Sequence, residues 1–355
     1  MTLANQFICD YDTNKSFSFK TFFKKYYGPD KTPIKDKMQF GNNTNEILIL
    51  KSARNIIFKN LSLNKAFLLA EEESPRSIAQ KREVYEQLNL LMINTKDEIS
   101  ASQKAQILFL IHLSKLSAPS ETYCELFRSV NTIRIENDIT GYIFSGNLAT
   151  VFQKLITNAQ IIQTINEVIE TVTRSKSTYD ISSTKLTYFE TIFSHLYGFA
   201  GINEIYLNIE MINLFYSELL NKYQHDDKIT ILNLIFAKIV VHEITHVALR
   251  YTFNDFNIST PTFNDQNDKE TTLKLDEAGC ITENILFKAR IDWIESAEKG
   301  FNLDYCKSFM QRFLNNDKVD FDHLSSETTI DDSDYACVAF SMSLKKKMKK
   351  KIFFF

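Results

Sequence analysis

From Ile229 to Leu249 the chain is apolar apart from a few interruptions, chiefly Asn233, Lys238, His242, Glu243 and His246. The run is too long for a strand and reads as one helix. Charged and titratable side chains near its middle would be costly in a bilayer, so it is expected to be a buried helix rather than a membrane span. Three of the interruptions form the pattern His242-Glu243-Ile244-Thr245-His246. On a helix, residues four apart stand one above the other, so the two imidazoles can grip a single metal ion. Glu243, one step round, can then act as general base toward a water on that ion. With six histidines in 355 residues, such a pattern arises by chance in well under about one such chain in a hundred.

The middle positions Ile244 and Thr245 are uncharged, and Val240, Val241 and Val247 make the flanks apolar. In these features the stretch resembles the active-site helix of the zincin metallopeptidases. The resemblance covers this helix and one downstream glutamate, and it implies Zn2+ on His242 and His246, Glu243 as general base, and a peptide or protein substrate. A catalytic zinc takes a third protein ligand and keeps one position open. The metzincin extension would need a glycine and a histidine where this chain has Leu249 and Thr252, which removes that class. The remaining template, that of the glutamate zincins or gluzincins, takes a glutamate from a following helix, and Leu273 to Phe287 supplies one. Glu277 is the first choice, because Ala278 and Gly279 beside it would let the two helices approach closely. Glu283 is the second choice, and two surface carboxylates are the bland alternative. Some families of this class place an Asp four residues after the ligand Glu to hold a zinc-bound histidine. Here that position is Ile281, which leaves the role to Asp276 or a backbone carbonyl. Cys280 reads as a packing cysteine.

Composition excludes several function classes. A net charge of −3 gives no field for nucleic acid or an anionic membrane. The aromatic and basic residues of Phe17 to Tyr27 therefore read as docking an N-terminal segment rather than stacking bases. Five scattered cysteines without a C-x-x-C pair give neither a disulfide framework nor a cysteine metal site. No signal-peptide pattern opens the chain, so a reducing, cytoplasmic setting is expected. Eight glycines and five prolines are few, which favours helices with a small sheet over turn-rich β architectures.

Along the chain, a short strand is expected at Glu46 to Leu50 and a helix from Ser74-Pro75 to about Ile93. Helices follow at about Ser102 to Leu116 and Glu121 to Val130, with a short strand at Thr132 to Ile135. Apolar residues spaced by three and four from Leu148 to Val172 predict one long helix. Strands are expected at Tyr179 to Ile181, Thr187 to Phe193 and Glu204 to Met211. By the zincin resemblance, Glu204 to Met211 is the candidate edge strand for an extended substrate, with a plain interior strand as the alternative. His195 reads as structural. A short helix is expected from Asn213 to Tyr223, and His225 opens the active-site helix. Lys238, one turn before His242, places a cation near the expected metal unless its stem carries the ammonium away. Tyr251 to Thr272 reads as a polar loop, and Tyr305 to Leu314 as a helix. His323, Tyr305 and Tyr335 are candidate donors to a developing oxyanion.

The expected architecture is α+β and mostly α. It comprises an N-terminal helical region (1–175), a zincin-like metallopeptidase domain (176–343) and a low-complexity Lys/Phe tail (344–355). The expected activity is zinc-dependent peptide hydrolysis, with a non-catalytic helical interaction protein as the competing class.

Overall fold

A computed structural model describes residues 53, 56–57, 60, 99–115, 127–193, 196–258 and 277–330. The expected strand at Glu46 to Leu50, the helix from Ser74, the aromatic N-terminal segment and the Lys/Phe tail lie outside the described residues. So do His195, Asp276, Tyr335 and most of the polar stretch before Glu277. The described chain is mostly helical with a small four-stranded mixed sheet. It divides into two compact units, one of residues 1–135, 191–193 and 253–258, the other of residues 136–190, 194–252 and 259–355.

In the first unit, helix α1 (Ala101–Lys115) begins at a reciprocal cap. The Ser100 N–H donates to Gln103 Oε1 at 2.9 Å, and the Gln103 N–H donates to Ser100 Oγ at 3.2 Å. From Ala105 to Ser114 every residue is buried, so α1 is a core helix without a solvent face. Its polar side chains find internal partners. Gln106 donates to the Ile133 carbonyl at 3.0 Å, and Asn60 donates to Ser114 Oγ at 2.9 Å.

The second unit opens with α2 (Ser145–Ile156) and α3 (Ala159–Thr173), where the spacing predicts a single helix. The break comes from Asn158. Its backbone is extended, its Oδ1 accepts the Ile161 N–H at 3.0 Å, and its Nδ2 donates to the Phe313 carbonyl at 2.7 Å. An N-cap restarts the helix without disturbing the apolar stripe, which is buried on both sides of the break: Leu148, Val151, Phe152 and Leu155, then Ile161, Ile165, Val168 and Ile169.

The strands are β1 (Arg134–Glu136), β2 (Lys185–Glu190), β3 (Gly198–Ala200) and β4 (Glu204–Asn208), the last three in the order β2-β4-β3. Strand β4 pairs in parallel with β2, Lys185 opposite Glu204, and antiparallel with β3, Gly198 opposite Leu207. All five of its residues are buried. The expected edge strand is therefore an interior one, because the chain returns from β3 into the slot beside β2. It also ends sooner than expected. Asn208 caps α4 (Ile209–Leu214), accepting from Met211, while its amide donates to the Leu196 carbonyl at 2.8 Å. A π-helical turn, Phe215–Leu219, follows. The expected strand at Tyr179 to Ile181 runs instead into a 3-10 turn, Ile181–Ser183, capped by Asp180.

Helix α5 (His225–Phe253) is the longest element, about 44 Å at 1.5 Å per residue. It is buried from Ile231 to Arg250 except at Lys238. By length and apolarity it could cross a membrane, but 89% of its most apolar window is covered by the rest of the protein, as in a core helix. Strand β3 lies against it. A Cβ added at Gly198 would fall 2.7 Å from the Tyr206 carbonyl oxygen on β4, which glycine avoids, and 3.4 Å from Ile239 of the helix. Arg250 also donates to the Ala200 carbonyl at 3.1 Å.

Helices α6 (Ala278–Phe287), α7 (Trp293–Lys299), α8 (Leu303–Leu314) and α9 (His323–Ser326) complete the unit. Phe287, Trp293, Phe309, Phe313 and Phe321 interlock between them, with Phe309 edge-on to Phe321 at 4.9 Å. Asn158→Ala tests how α3 is joined to α8. Loss of a cap costs about 1 kcal/mol, and loss of the Nδ2 bond costs about 1 kcal/mol more, since the Phe313 carbonyl keeps the Asn316 N–H at 3.1 Å. Denaturant unfolding should show a loss of about 2 kcal/mol, and a loss under about 0.5 kcal/mol would mean that neither bond matters.

Candidate metal centre

Two helices supply the site. Helix α5 contributes Lys238, His242, Glu243 and His246, and the start of α6 contributes Glu277, Gly279 and Glu283. The motif's i, i+4 spacing places both imidazoles on one face of α5, with ring centres 5.1 Å apart. Their Nε2 atoms converge on one carboxylate. His242 Nε2 lies 3.4 Å from Glu277 Oε2, and His246 Nε2 contacts Glu277 Oε1 directly. Glu243 is buried on the same stretch of helix.

Glu277 is not within its helix but caps it, with extended backbone at φ −65° and ψ 139°. Its carboxylate accepts long hydrogen bonds from the Gly279 and Cys280 N–H groups at 3.4 and 3.3 Å. The first-turn amides thus hold it from behind while both oxygens face α5. Ser, Thr, Asp and Asn serve better at this position. A buried residue that breaks a local preference is what a functional site produces.

Gly279 sets how closely the helices approach. A Cβ there would stand 2.7 Å from His242 Nδ1 and 2.8 Å from its Cε1 and Cγ, so the α6 backbone lies flat on the imidazole. The Thr245 and Thr282 hydroxyls meet at 2.9 Å one turn along.

Glu283 sits on the other side of His242. Its Oε1 is 2.6 Å from Nδ1, a charge-assisted hydrogen bond that leaves Nε2 free to face Glu277. The acceptor expected from Asp276 or a backbone carbonyl is therefore Glu283, the residue weighed as second-choice ligand. The spacing of Lys238 four residues before His242 was the available signal, because a cation on that face calls for a carboxylate between the helices. Lys238 Nζ indeed lies 3.5 Å from Glu283 Oε2 and donates to the Ile291 carbonyl at 2.9 Å, so its stem does carry the ammonium away from the Nε2 atoms. Among the described residues, the buried His246 Nδ1 has no hydrogen-bond partner.

The donor set fits a cation of zinc's size. Two imidazoles and one carboxylate match the ligand types of three-ligand zinc sites, and their donor atoms lie within 4.8 Å of one another. Tetrahedral ligands at about 2.0–2.1 Å from an ion stand about 3.3–3.4 Å apart; His242 Nε2 stands at that separation from Glu277, while His246 Nε2 lies closer and would have to draw back to admit an ion. His242, Cys280 and Glu283 are also close together, but there His242 Nδ1 is hydrogen-bonded to Glu283 Oε1 at 2.6 Å.

Electrostatics point the same way. Glu243, Glu277 and Glu283 are all buried, and among the described residues neither Glu243 nor Glu277 pairs with a Lys or Arg. Burial works against a charge on His242, but Glu277, the Glu283 hydrogen bond and Glu243 outweigh it and lift its pKa to about 10. Burial would raise the Glu277 carboxyl, but His246 and His242 hold it far below the carboxylate range. The cluster thus gathers three buried carboxylates whose charge the imidazoles and Lys238 offset, and a cation held by the imidazoles would serve the same end. Burial pushes the Cys280 thiol well up, with Glu277 and Glu283 adding to it, as for an inert packing cysteine.

Of the oxyanion candidates, Tyr335 lies outside the described residues and Tyr305 is engaged elsewhere, while the buried His323 Nε2 has no hydrogen-bond partner among the described residues. The Tyr305 hydroxyl oxygen accepts the Asp322 N–H at 2.6 Å and its ring packs on Phe321, while His323 opens α9. No protein-family model, curated protein or solved structure matches the chain.

Gly279→Ala gives a test with an unusual sign. Alanine ordinarily stabilises a helix by up to about 1 kcal/mol over glycine, but here it drives a Cβ into a ring clamped on both sides, and overpacking costs about 1–3 kcal/mol. Thermal unfolding should therefore show Gly279→Ala less stable than the parent. A more stable variant would mean that α6 does not rest on His242.

Proposed function

We propose that the chain is a zinc-dependent peptidase with a gluzincin-like centre, Zn2+ being held by His242, His246 and Glu277. The observation that carries this reading is the convergence of two Nε2 atoms on one buried carboxylate, with the buried Glu243 one step round the helix from His242. The order of elements agrees with a zincin-like arrangement, with a small sheet before the histidine helix and a glutamate-bearing helix after it.

Zinc bound there supplies a Lewis acid toward water and the scissile carbonyl. The chain's own residues do the rest. Glu283 keeps the His242 proton on Nδ1, so the Nε2 lone pair is presented to the cation. Glu277 stays ionised between the imidazoles, backed by the α6 amides. Glu243 takes the proton of the attacking water and returns it to the leaving amine, so nitrogen departs as a neutral amine rather than as an amide anion. Strand β4 has neighbours on both edges and β3 is buried throughout, so neither is assigned as the strand with which an extended substrate pairs. The expected partner is a peptide or protein rather than nucleic acid, in keeping with the net charge of −3, and the expected setting is cytoplasmic.

Elemental analysis of protein purified without added metal, paired with Glu243→Gln, tests the reading. The parent should carry one zinc and cleave members of a mixed peptide library. Glu243→Gln should keep the zinc and lose at least about a hundredfold in rate, since general-base assistance contributes about 10²–10⁴. Zinc-free protein that takes up none on dialysis would favour the non-catalytic interaction protein, its histidines and glutamates serving as ion pairs. Equal cleavage by Glu243→Gln would remove the assigned base.

A further inference from the structure

Lys238, like Arg250, is a charged side chain on the buried length of α5 with no part in binding metal or in proton transfer, and of the two it is Lys238 that contacts the site's support. Its side chain is 23% exposed, but the ammonium turns inward. It donates to the Ile291 carbonyl at 2.9 Å and lies 3.5 Å from Glu283 Oε2. Ile291 is itself fixed by an antiparallel bridge to Ile330. Glu283 Oε2 is buried and finds no hydrogen-bond donor among the described residues, so the ammonium is its nearest partner. The other oxygen, Oε1, makes the 2.6 Å bond to His242 Nδ1. A continuous chain thus runs from the Ile291 carbonyl through Lys238 and Glu283 to the imidazole.

We propose that Lys238 is a positioning residue of the metal centre, its ammonium holding Glu283 in the one orientation that fixes the His242 ring. This rests on the reading of His242, His246 and Glu277 as zinc ligands. Carboxylates that orient a ligating imidazole govern its direction and basicity, and their loss typically weakens metal binding 10- to 100-fold. Without the ammonium, Glu283 keeps only its bond to His242 and is free to turn about its own side chain. Burial would by itself raise the Glu283 carboxyl's pKa, but Lys238, then the His242 hydrogen bond and more weakly Arg290, hold it below the ordinary value. A second role would act with opposite sign: as a bare positive charge, Lys238 would repel a cation, and its removal would tighten binding.

Zinc affinity measured by competition with a chelator separates the two. Lys238→Met keeps the apolar stem and should bind zinc at least about tenfold more weakly. Lys238→Arg retains a cation and donors and should stay within about threefold of the parent. In a Glu283→Gln background, Lys238→Met should change affinity by less than about twofold, since the residue it acts through is gone. Tighter or unchanged binding by Lys238→Met overturns the proposal, and so does an equal loss in both backgrounds. Circular dichroism of the metal-free variants checks folding, and Lys238→Gln replaces Lys238→Met in the same comparison if the latter does not fold. A parent that binds no zinc overturns the metal reading and this proposal together. A parent that binds zinc with Lys238→Met unaffected overturns only the role of Lys238.

Discussion

A carboxylate with 1% of its surface exposed has to be neutralised where it sits, and for Glu277 the partners are the imidazoles of His242 and His246. Removing such a charge from water costs several kcal/mol unless its surroundings replace the lost hydration. The rest of the second unit is arranged to make that replacement. Helix α5 is buried around nearly its whole circumference, which fixes the histidine face. Strand β3 closes on it through Gly198 and Arg250. Helix α6 points its N-terminal amides at the carboxylate and rests Gly279 on the ring it addresses.

The two histidines differ in support. His242 is held from both sides, by Glu277 at Nε2 and by Glu283 at Nδ1, whereas the buried Nδ1 of His246 has no partner among the described residues. An imidazole whose second nitrogen donates to a carboxylate is the more basic and the more rigid ligand. On the proposed reading, His242 is the anchoring ligand and His246 the more yielding one. The Glu283 and Lys238 pair exists on the anchored side only.

Much of this was legible in the sequence because it is local. The apolar length of Ile229 to Leu249 dictated a buried helix, and the His242, His246 spacing dictated a shared face. Gly279 beside Glu277 announced a close helix approach. What was not legible depends on pairing between distant segments. The stripe from Leu148 to Val172 has a helical period throughout, and only the bond from Asn158 to the Phe313 carbonyl shows why it breaks. Glu204 to Asn208 reads as a strand, but its interior place follows from where β3 returns. Glu283 reads as a carboxylate on a helix, and its bond to His242 rather than to a shared metal site follows from how α6 lies across α5. Lys238, awkward beside a metal helix when read alone, was the clue to that arrangement.

X-ray absorption at the zinc edge of the zinc-loaded protein tests the central claim most directly, because it counts ligand types without relying on activity. The account predicts only nitrogen and oxygen donors, at about 2.0–2.2 Å, with the outer-shell scattering of two imidazoles. A sulfur donor at about 2.3 Å would place the metal on Cys280 and contradict the assignment of Glu277, and scattering from fewer than two imidazoles would contradict the pairing of His242 with His246.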